Sequence, residues 1–140
     1  MNIYLGIKYK SDLSNKDLIE KVYNTLHEHH IFCVHKDLEE WGVKNIKTDK
    51  IMEETFLAIN RSDIVLIEFS EKGVGLGIEA GYAKAIQKPV YVFHKQGTEV
   101  SPTLYGIAEK VVEYHEIEVV LLKTFGRNKC FLKSRMTISL

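Results

Sequence analysis

Short apolar runs alternate along the chain with segments of helical period. Five runs rich in β-branched and aromatic residues are typical of strands, at residues 2–7, 31–35, 63–69, 89–94 and 110–114. Apolar positions at helical spacing lie at residues 18–26, 51–59, 78–87 and 119–125. Repeated strand and helix units predict parallel strands joined by right-handed crossovers. We therefore predict a doubly wound α/β fold of the flavodoxin or Rossmann kind, a five-stranded parallel sheet with helices on both faces.

The run from Asp63 to Phe69 is the strongest strand in the sequence. Its apolar residues are continuous rather than alternating, as expected of a strand that helices cover on both faces. We therefore place it in the middle of the sheet. The charged stretch at residues 36–41, after the second strand, predicts a loop.

The length and composition fit one globular domain. The chain has 140 residues, of which 45% are hydrophobic and 27% are charged. We assign residues 1–125 to the α/β domain. Residues 126–140 show no clear period and are predicted to form a C-terminal tail or a dimer arm.

The charge balance excludes some partners. Lysine and arginine together number 19, as do aspartate and glutamate, so the formal net charge is zero. Such a chain lacks the electrostatic footprint of a protein that binds nucleic acid or an anionic membrane. The apolar runs are far shorter than the ~20 residues needed to cross a bilayer, so we expect a cytoplasmic protein.

The cysteines and histidines predict neither a disulfide nor a metal site. Cys33 lies in an apolar run and is predicted to be a small core residue, unpaired with the distant Cys130. The histidines around Cys33 match no standard zinc spacing. We predict no metal and no cofactor.

Ligands of open parallel sheets bind beyond the carboxyl ends of the strands, near a switch in strand order. Four segments qualify: Gly6–Lys10, the loop from His35, Glu68–Glu79 and His94–Ser101. The third is the richest, with glycines at 73, 75 and 77. These glycines predict close approach of the backbone to a ligand and free N–H groups for an anion. The alternative is a plain glycine-rich turn into a helix.

Two carboxylates in this segment are candidates for chemistry. Glu79 is predicted to lie in the first turn of a helix, where the dipole favours an ionised carboxylate able to attack an electrophilic carbon. The alternative is that it only complements the dipole. Glu68 ends an apolar strand on the face of Leu66 and Ser70, where a carboxylate must be paired or face a cleft. It can equally bond backbone N–H groups.

The run SDIVLIEFSEKGVGLGIEAGYAKA, with the earlier IYLG and the later SPTLYGIA, resembles the nucleoside 2-deoxyribosyltransferase family, including its nucleotide N-hydrolase branch. The similarity spans Asn2 to Ala108. The resemblance implies that Glu79 attacks the anomeric carbon of the sugar, displaces the base and forms a covalent glycosyl-enzyme. It also implies that Ser101 reaches the 5′-phosphate in a neighbouring subunit, so that the protein is a homodimer or a higher homo-oligomer.

By the same resemblance, further residues are assigned to the site. Thr55 stands where the family has an aspartate that helps to protonate the leaving base, and Glu68 is our candidate for supplying that proton. Lys8 lies in a segment, residues 6–10, that replaces the family's Gly-Ser-Ile-Arg turn, and Gly73 replaces a serine or an aspartate. The predicted substrate-binding residues are Tyr4, Gly6, Lys8, Ser70, Gly73, Gly75, Gly77 and Ser101.

These observations favour an enzyme that cleaves the N-glycosidic bond of a nucleoside or its 5′-monophosphate, by hydrolysis or by base transfer. The alternative is a non-catalytic nucleotide-binding or sensing module with the same fold, which the threonine at position 55 supports. A flavodoxin-like carrier would need a flavin loop that the sequence does not show.

Overall fold

The computed structural model describes residues 1–126. Five parallel strands form one sheet in the order β2-β1-β3-β4-β5. The strands are β1 (Asn2–Ile7), β2 (His30–Phe32), β3 (Ile64–Glu68), β4 (Val90–Lys95) and β5 (Lys110–Tyr114). The predicted fold class is confirmed, and so is the central place of β3, whose five residues are all buried.

Helices cover both faces of this sheet. They are α1 (Lys16–Thr25), α2 (Thr48–Arg61), α3 (Val74–Ala85), α4 (Pro102–Ile107) and α5 (Ile117–Phe125). Helices α1 and α5 pack on one face, and α2, α3 and α4 pack on the other. Each face has its own apolar core because side chains along a strand point alternately to the two sides. Leu66 belongs to the first core, whereas Val65 and Ile67 belong to the second.

Three elements of the structure differ from the prediction. Helix α3 begins at Val74, four residues earlier than the apolar period indicated, so Gly75 and Gly77 lie inside its first turn. Glycine disfavours helix, but burial of Leu76 and Ala80 against the sheet outweighs that preference. Helix α4, six residues with proline at its start, is too short to show a period. The charged stretch after β2 holds a π-helical turn at Val34–Leu38 rather than an irregular loop.

Cys33 is buried and free, as predicted for a small core residue. The predicted tail or dimer arm lies, apart from Gly126, outside the described residues, as does Cys130. Among residues 1–126, no helix has the length and apolar character needed to cross a membrane.

Helix α5 provides a test of the first core. Leu121 is fully buried against the sheet, whereas its neighbour Leu122 is 52% exposed. We expect Leu121→Ala to lower the free energy of unfolding by about 2–5 kcal/mol, because it leaves a cavity that the surrounding side chains do not fill. Leu122→Ala, the matched control, should change it by less than about 1 kcal/mol. Equal effects in urea unfolding would show that α5 does not pack as described.

Candidate active site

The strand order places a cleft at the carboxyl ends of β1 and β3. From β1 the chain goes outward to β2 and then returns to β3 on the other side of β1, so the connections leave in opposite directions. Such a switch point is where open α/β sheets bind ligands. A cavity of about 500 Å³ lies there, between the end of β1, the segment after β2, α2 and the start of α3.

Glu79 lines this cavity and is held by one hydrogen bond. The buried hydroxyl of Tyr4, on β1, donates to Oε1 of Glu79 over 2.7 Å. The second carboxyl oxygen, Oε2, is buried and has no hydrogen-bond partner among the described residues. Burial raises the pKa of Glu79 to about 7, and the hydrogen bond from Tyr4 opposes that rise.

This geometry corrects the predicted environment of Glu79. The residue lies in the second turn of α3 rather than the first, because the helix begins at Val74. The helix dipole acts mainly within the terminal turn. Desolvation therefore governs the charge of Glu79, and the neutral form is favoured more than the sequence indicated.

Gly6 leaves room for the Glu79 carboxylate to pack against the sheet. A Cβ atom at position 6 would lie 2.6 Å from Oε2 of Glu79 and 2.7 Å from Cδ1 of Ile67. Both separations are far below van der Waals contact. Gly6 therefore lets the Glu79 side chain lie directly on β1.

Thr55 also lines the cavity, on the buried side of α2. Its hydroxyl donates to the carbonyl oxygen of Ile51, one turn earlier, over 2.8 Å. The structure thus brings Thr55 into the same cavity as Glu79, with its proton already committed to the helix backbone.

Of the predicted substrate-binding residues, Tyr4, Gly6, Lys8, Gly73 and Gly75 line the cavity, and their role in binding stays a prediction. Gly73 is the residue before α3, so the first N–H groups of that helix lie at the cavity. Gly77 is exposed and does not line it.

Glu68 is not part of the cavity. Its carboxylate lies on the α1 and α5 side of the sheet, where Oε1 accepts hydrogen bonds from the Ser70 N–H and the Tyr114 hydroxyl, each over 3.1 Å. The Ser70 hydroxyl also donates to it and accepts from the Lys95 N–H. Burial raises the pKa of Glu68. The structure therefore places Glu68 and Ser70 away from Glu79, in a network that ties together the ends of β3, β4 and β5.

Ser101 precedes α4 and does not line the cavity of its own chain. Its hydroxyl lies 2.8 Å from that of Thr103. The role that the family resemblance implies, in a neighbouring subunit, stays a prediction.

Sequence reasoning did not name several of the residues that line the cavity, His35 and Glu39 among them. His35 and Glu39, in and just after the π-helical turn, line the cavity beside Tyr9. The loop from His35 was among the strand ends expected to bind ligands, but neither His35 nor Glu39 was named as a site residue. A π-helical turn, which recurs at functional sites, has no simple pattern in the sequence.

The sequence profile of the family described as Nucleoside 2-deoxyribosyltransferase matches residues 3–126. The chain belongs to this family. The resemblance in the glycine and glutamate motif is thereby confirmed. The protein is an enzyme of the nucleoside deoxyribosyltransferase and N-glycosidase kind.

Solved structures with the same fold include other nucleoside deoxyribosyltransferase-like proteins. CMP N-glycosidase BcmB from Clostridium botulinum superposes with a TM-score of 0.65 at 16% identity, over 89% of this chain and 98% of that one. A 2-deoxyribosyltransferase from Bacillus psychrosaccharolyticus gives 0.67 at 16% identity, over 86% and 90%. A conserved protein from Enterococcus faecalis gives 0.67 at 15%, over 88% and 95%. Among curated proteins, no match to the chain was found.

The contact at Gly6 is testable in this deoxyribosyltransferase-like enzyme. We expect Gly6→Ala to lower the free energy of unfolding by about 1–3 kcal/mol, because the added methyl group displaces the Glu79 carboxylate or Ile67. Gly77→Ala is the matched control, since a Cβ atom at position 77 would meet open space and alanine favours helix. Chemical unfolding of both variants would contradict the packing if Gly6→Ala were as stable as the parent.

The pKa of Glu79 predicts a pH-dependent stability. Its carboxyl has a pKa of about 7 when folded and an ordinary value of 4.5, so the folded chain binds more protons between these pH values. The stability due to the protonated form is complete below about pH 4.5 and is lost as the pH rises through about 7. At about 1.4 kcal/mol per pH unit the loss is at most about 3 kcal/mol.

Glu79→Gln removes this titration. We expect the free energy of unfolding of the parent, relative to that of Glu79→Gln, to fall between pH 4.5 and 8. Urea unfolding of both proteins at several pH values measures this difference. A difference that stays constant with pH would show that the Glu79 pKa is not raised.

Proposed function

We propose that this enzyme cleaves the N-glycosidic bond of a nucleoside or deoxynucleoside, or of its 5′-monophosphate, through a covalent intermediate on Glu79. The observation that carries the proposal is the state of the Glu79 carboxylate. It lines a cavity at the switch point, with one oxygen held by Tyr4 and the other without a hydrogen-bond partner among the described residues.

The chemistry follows from that arrangement. The ionised carboxylate of Glu79 attacks C1′ of the sugar, the bond from C1′ to the base nitrogen breaks, and its electron pair leaves with the base. A desolvated carboxylate is a stronger nucleophile and a better stabiliser of an oxocarbenium-like centre than a hydrated one. The Tyr4 hydrogen bond holds its orientation. Water or a second base then attacks C1′ and releases Glu79.

The fold is compatible with either outcome of that second step. BcmB is described as a CMP N-glycosidase and the Bacillus protein as a 2-deoxyribosyltransferase, so hydrolysis and transfer both occur on this architecture. A product assay with and without an added free base is therefore needed for this chain.

Two features support a 5′-monophosphate as substrate. The start of α3, at Gly73, presents free N–H groups and the positive end of the helix dipole to the cavity. Lys8 lines the same cavity and forms no ion pair with another described residue. A phosphate between the start of α3 and Lys8 would meet local positive charge. Such local charge is needed because the chain as a whole has no net positive charge.

Ser101 extends the proposal to an assembly. Its place outside its own cavity supports the predicted role at the phosphate of a neighbouring subunit. We therefore propose at least a homodimer with shared sites.

The test is a base-release assay with common nucleosides and 5′-monophosphates, with and without a second free base. We expect Glu79→Gln to lower the rate by several powers of ten, because the amide keeps the shape but loses the attacking charge. Intact-protein mass spectrometry should show a glycosyl adduct on the parent and none on the variant. The parent rate should rise with pH through about 7, as Glu79 ionises.

Glu113→Gln, at an exposed position of β5, is the control and should keep the parental rate. Near-parental turnover by Glu79→Gln would contradict the proposal. Binding of a nucleotide by the parent without any base release would support the non-catalytic alternative instead.

A further inference from the structure

The cavity contains a second carboxyl, Glu39. This residue directly follows the π-helical turn Val34–Leu38, and its N–H is bonded to the carbonyl of Val34. Its side chain is 15% exposed and lines the cavity that Glu79 also lines. Enzymes that cleave glycosidic bonds with retention use two carboxyl groups, one as nucleophile and one as proton donor.

His35 lies beside Glu39, and one hydrogen bond of its ring fixes its tautomer. Its Nε2 is 3.0 Å from the carbonyl oxygen of Ile7, which only accepts hydrogen bonds, so Nε2 carries a hydrogen. The other ring nitrogen, Nδ1, is buried and has no hydrogen-bond partner among the described residues; Oε1 of Glu39 lies 3.5 Å from it. In a neutral ring of this tautomer, Nδ1 is an acceptor.

Two acceptors therefore face each other unless a proton lies between them. A buried Nδ1 without a donor is costly, and an ionised carboxylate beside it supplies none. The pair is satisfied when one acidic proton is present, on Glu39 or on His35. A proton shared by Glu39 and His35 would lie at the cavity wall.

The other candidate donors near the cavity are committed or unsuitable. The Tyr4 hydroxyl donates to Glu79, and the Thr55 hydroxyl donates to the carbonyl of Ile51. Lys8 is exposed. Glu68 lies on the opposite face of the sheet, bonded to Ser70 and Tyr114. Tyr9 also lines the cavity, but a phenol is a weaker acid than a carboxyl. We therefore take the pair of Glu39 and His35 as the acid.

We propose that Glu39 donates this proton to the leaving nucleobase, with His35 as its positioning residue. The inference rests on the proposed function of Glu79. As Glu79 attacks C1′, the bond to the base nitrogen breaks and the base takes the proton of Glu39, so the base leaves neutral. Glu39, now ionised, accepts a proton from the water or incoming base that attacks C1′ in the second step. Glu79 is released as a carboxylate and the pair regains its proton.

The experiment compares two leaving groups on the same sugar. A natural nucleoside or its 5′-monophosphate has a base that needs protonation, whereas the 4-nitrophenyl glycoside leaves as a stable anion. We expect Glu39→Gln to slow release of the natural base by about 10²–10⁴-fold, the usual worth of a general acid. The first step on the nitrophenyl glycoside, measured as the pre-steady-state burst of nitrophenolate, should change by less than about threefold, because only the second step on that substrate uses Glu39.

Glu40→Gln is the matched control. Glu40 is the next residue, is exposed, and pairs with Lys44 rather than lining the cavity. It should keep the parental rate on both substrates, and thermal unfolding should show that all variants are folded.

His35→Gln tests the positioning role. We expect it to slow the natural substrate less than Glu39→Gln does and to spare the nitrophenyl glycoside. In the double variant the two effects should not add, because both residues act through one proton. Additive effects would overturn the role of His35.

Three outcomes would overturn the proposal for Glu39: equal slowing of the first step on both substrates, no slowing of it on either, or loss of the parental rate in Glu40→Gln. Failure of the proposed function has a different signature, because Glu79→Gln would then keep turnover on the nitrophenyl glycoside. In that case the acid role of Glu39 falls with it.

Discussion

The site depends on a carboxylate packed against the backbone of the first strand. Glu79 reaches from α3 onto β1, where Gly6 leaves room for its Oε2 and Tyr4 binds its Oε1. Water is excluded from this contact, and the exclusion is what raises the carboxyl pKa to about 7. The same desolvation that makes the ionised form costly to the fold would make it more reactive in the nucleophilic role proposed for it. Stability and reactivity at this position therefore oppose each other.

The two faces of the sheet carry different groups: one holds the cavity and the other an apolar core with a hydrogen-bond network. The face of α2 and α3 carries Glu79, Tyr4 and Thr55, together with the cavity. The face of α1 and α5 carries an apolar core that ends in the network of Glu68, Ser70 and Tyr114. Alternation along β3 separates these groups completely, since Glu68 and Ile67 are neighbours in sequence but point to opposite sides. A buried carboxyl near a site is thus not necessarily a member of it.

Most of the fold could be predicted from the sequence, because parallel strands covered on both faces give continuous apolar runs such as residues 64–67. The motif predicted Glu79 as a site residue. It did not predict that burial raises the pKa of the Glu79 carboxyl. Because Gly75 and Gly77 disfavour helix, the sequence placed the start of α3 four residues too late. Glu79 was therefore expected in the first turn, whereas it lies in the second. His35 and Glu39 were missed because their place in the cavity depends on a π-helical turn and on the carbonyl of Ile7. Such contacts between distant segments leave no local pattern.

The hydrogen bond between Tyr4 and Glu79 joins residues that are 75 positions apart in the chain. During synthesis, no nascent chain can contain both partners before residue 79 has been made. Once the chain is complete, β1 must be paired with β3 and α3 must be docked before the two side chains meet. In a partly folded intermediate with β1 unpaired, Tyr4 would not be in position to bind Glu79. The side of the cavity that β1 forms would also be absent. A ligand bound in this cavity would therefore stabilise the pairing of β1 with β3 and the docking of α3 together, rather than one loop.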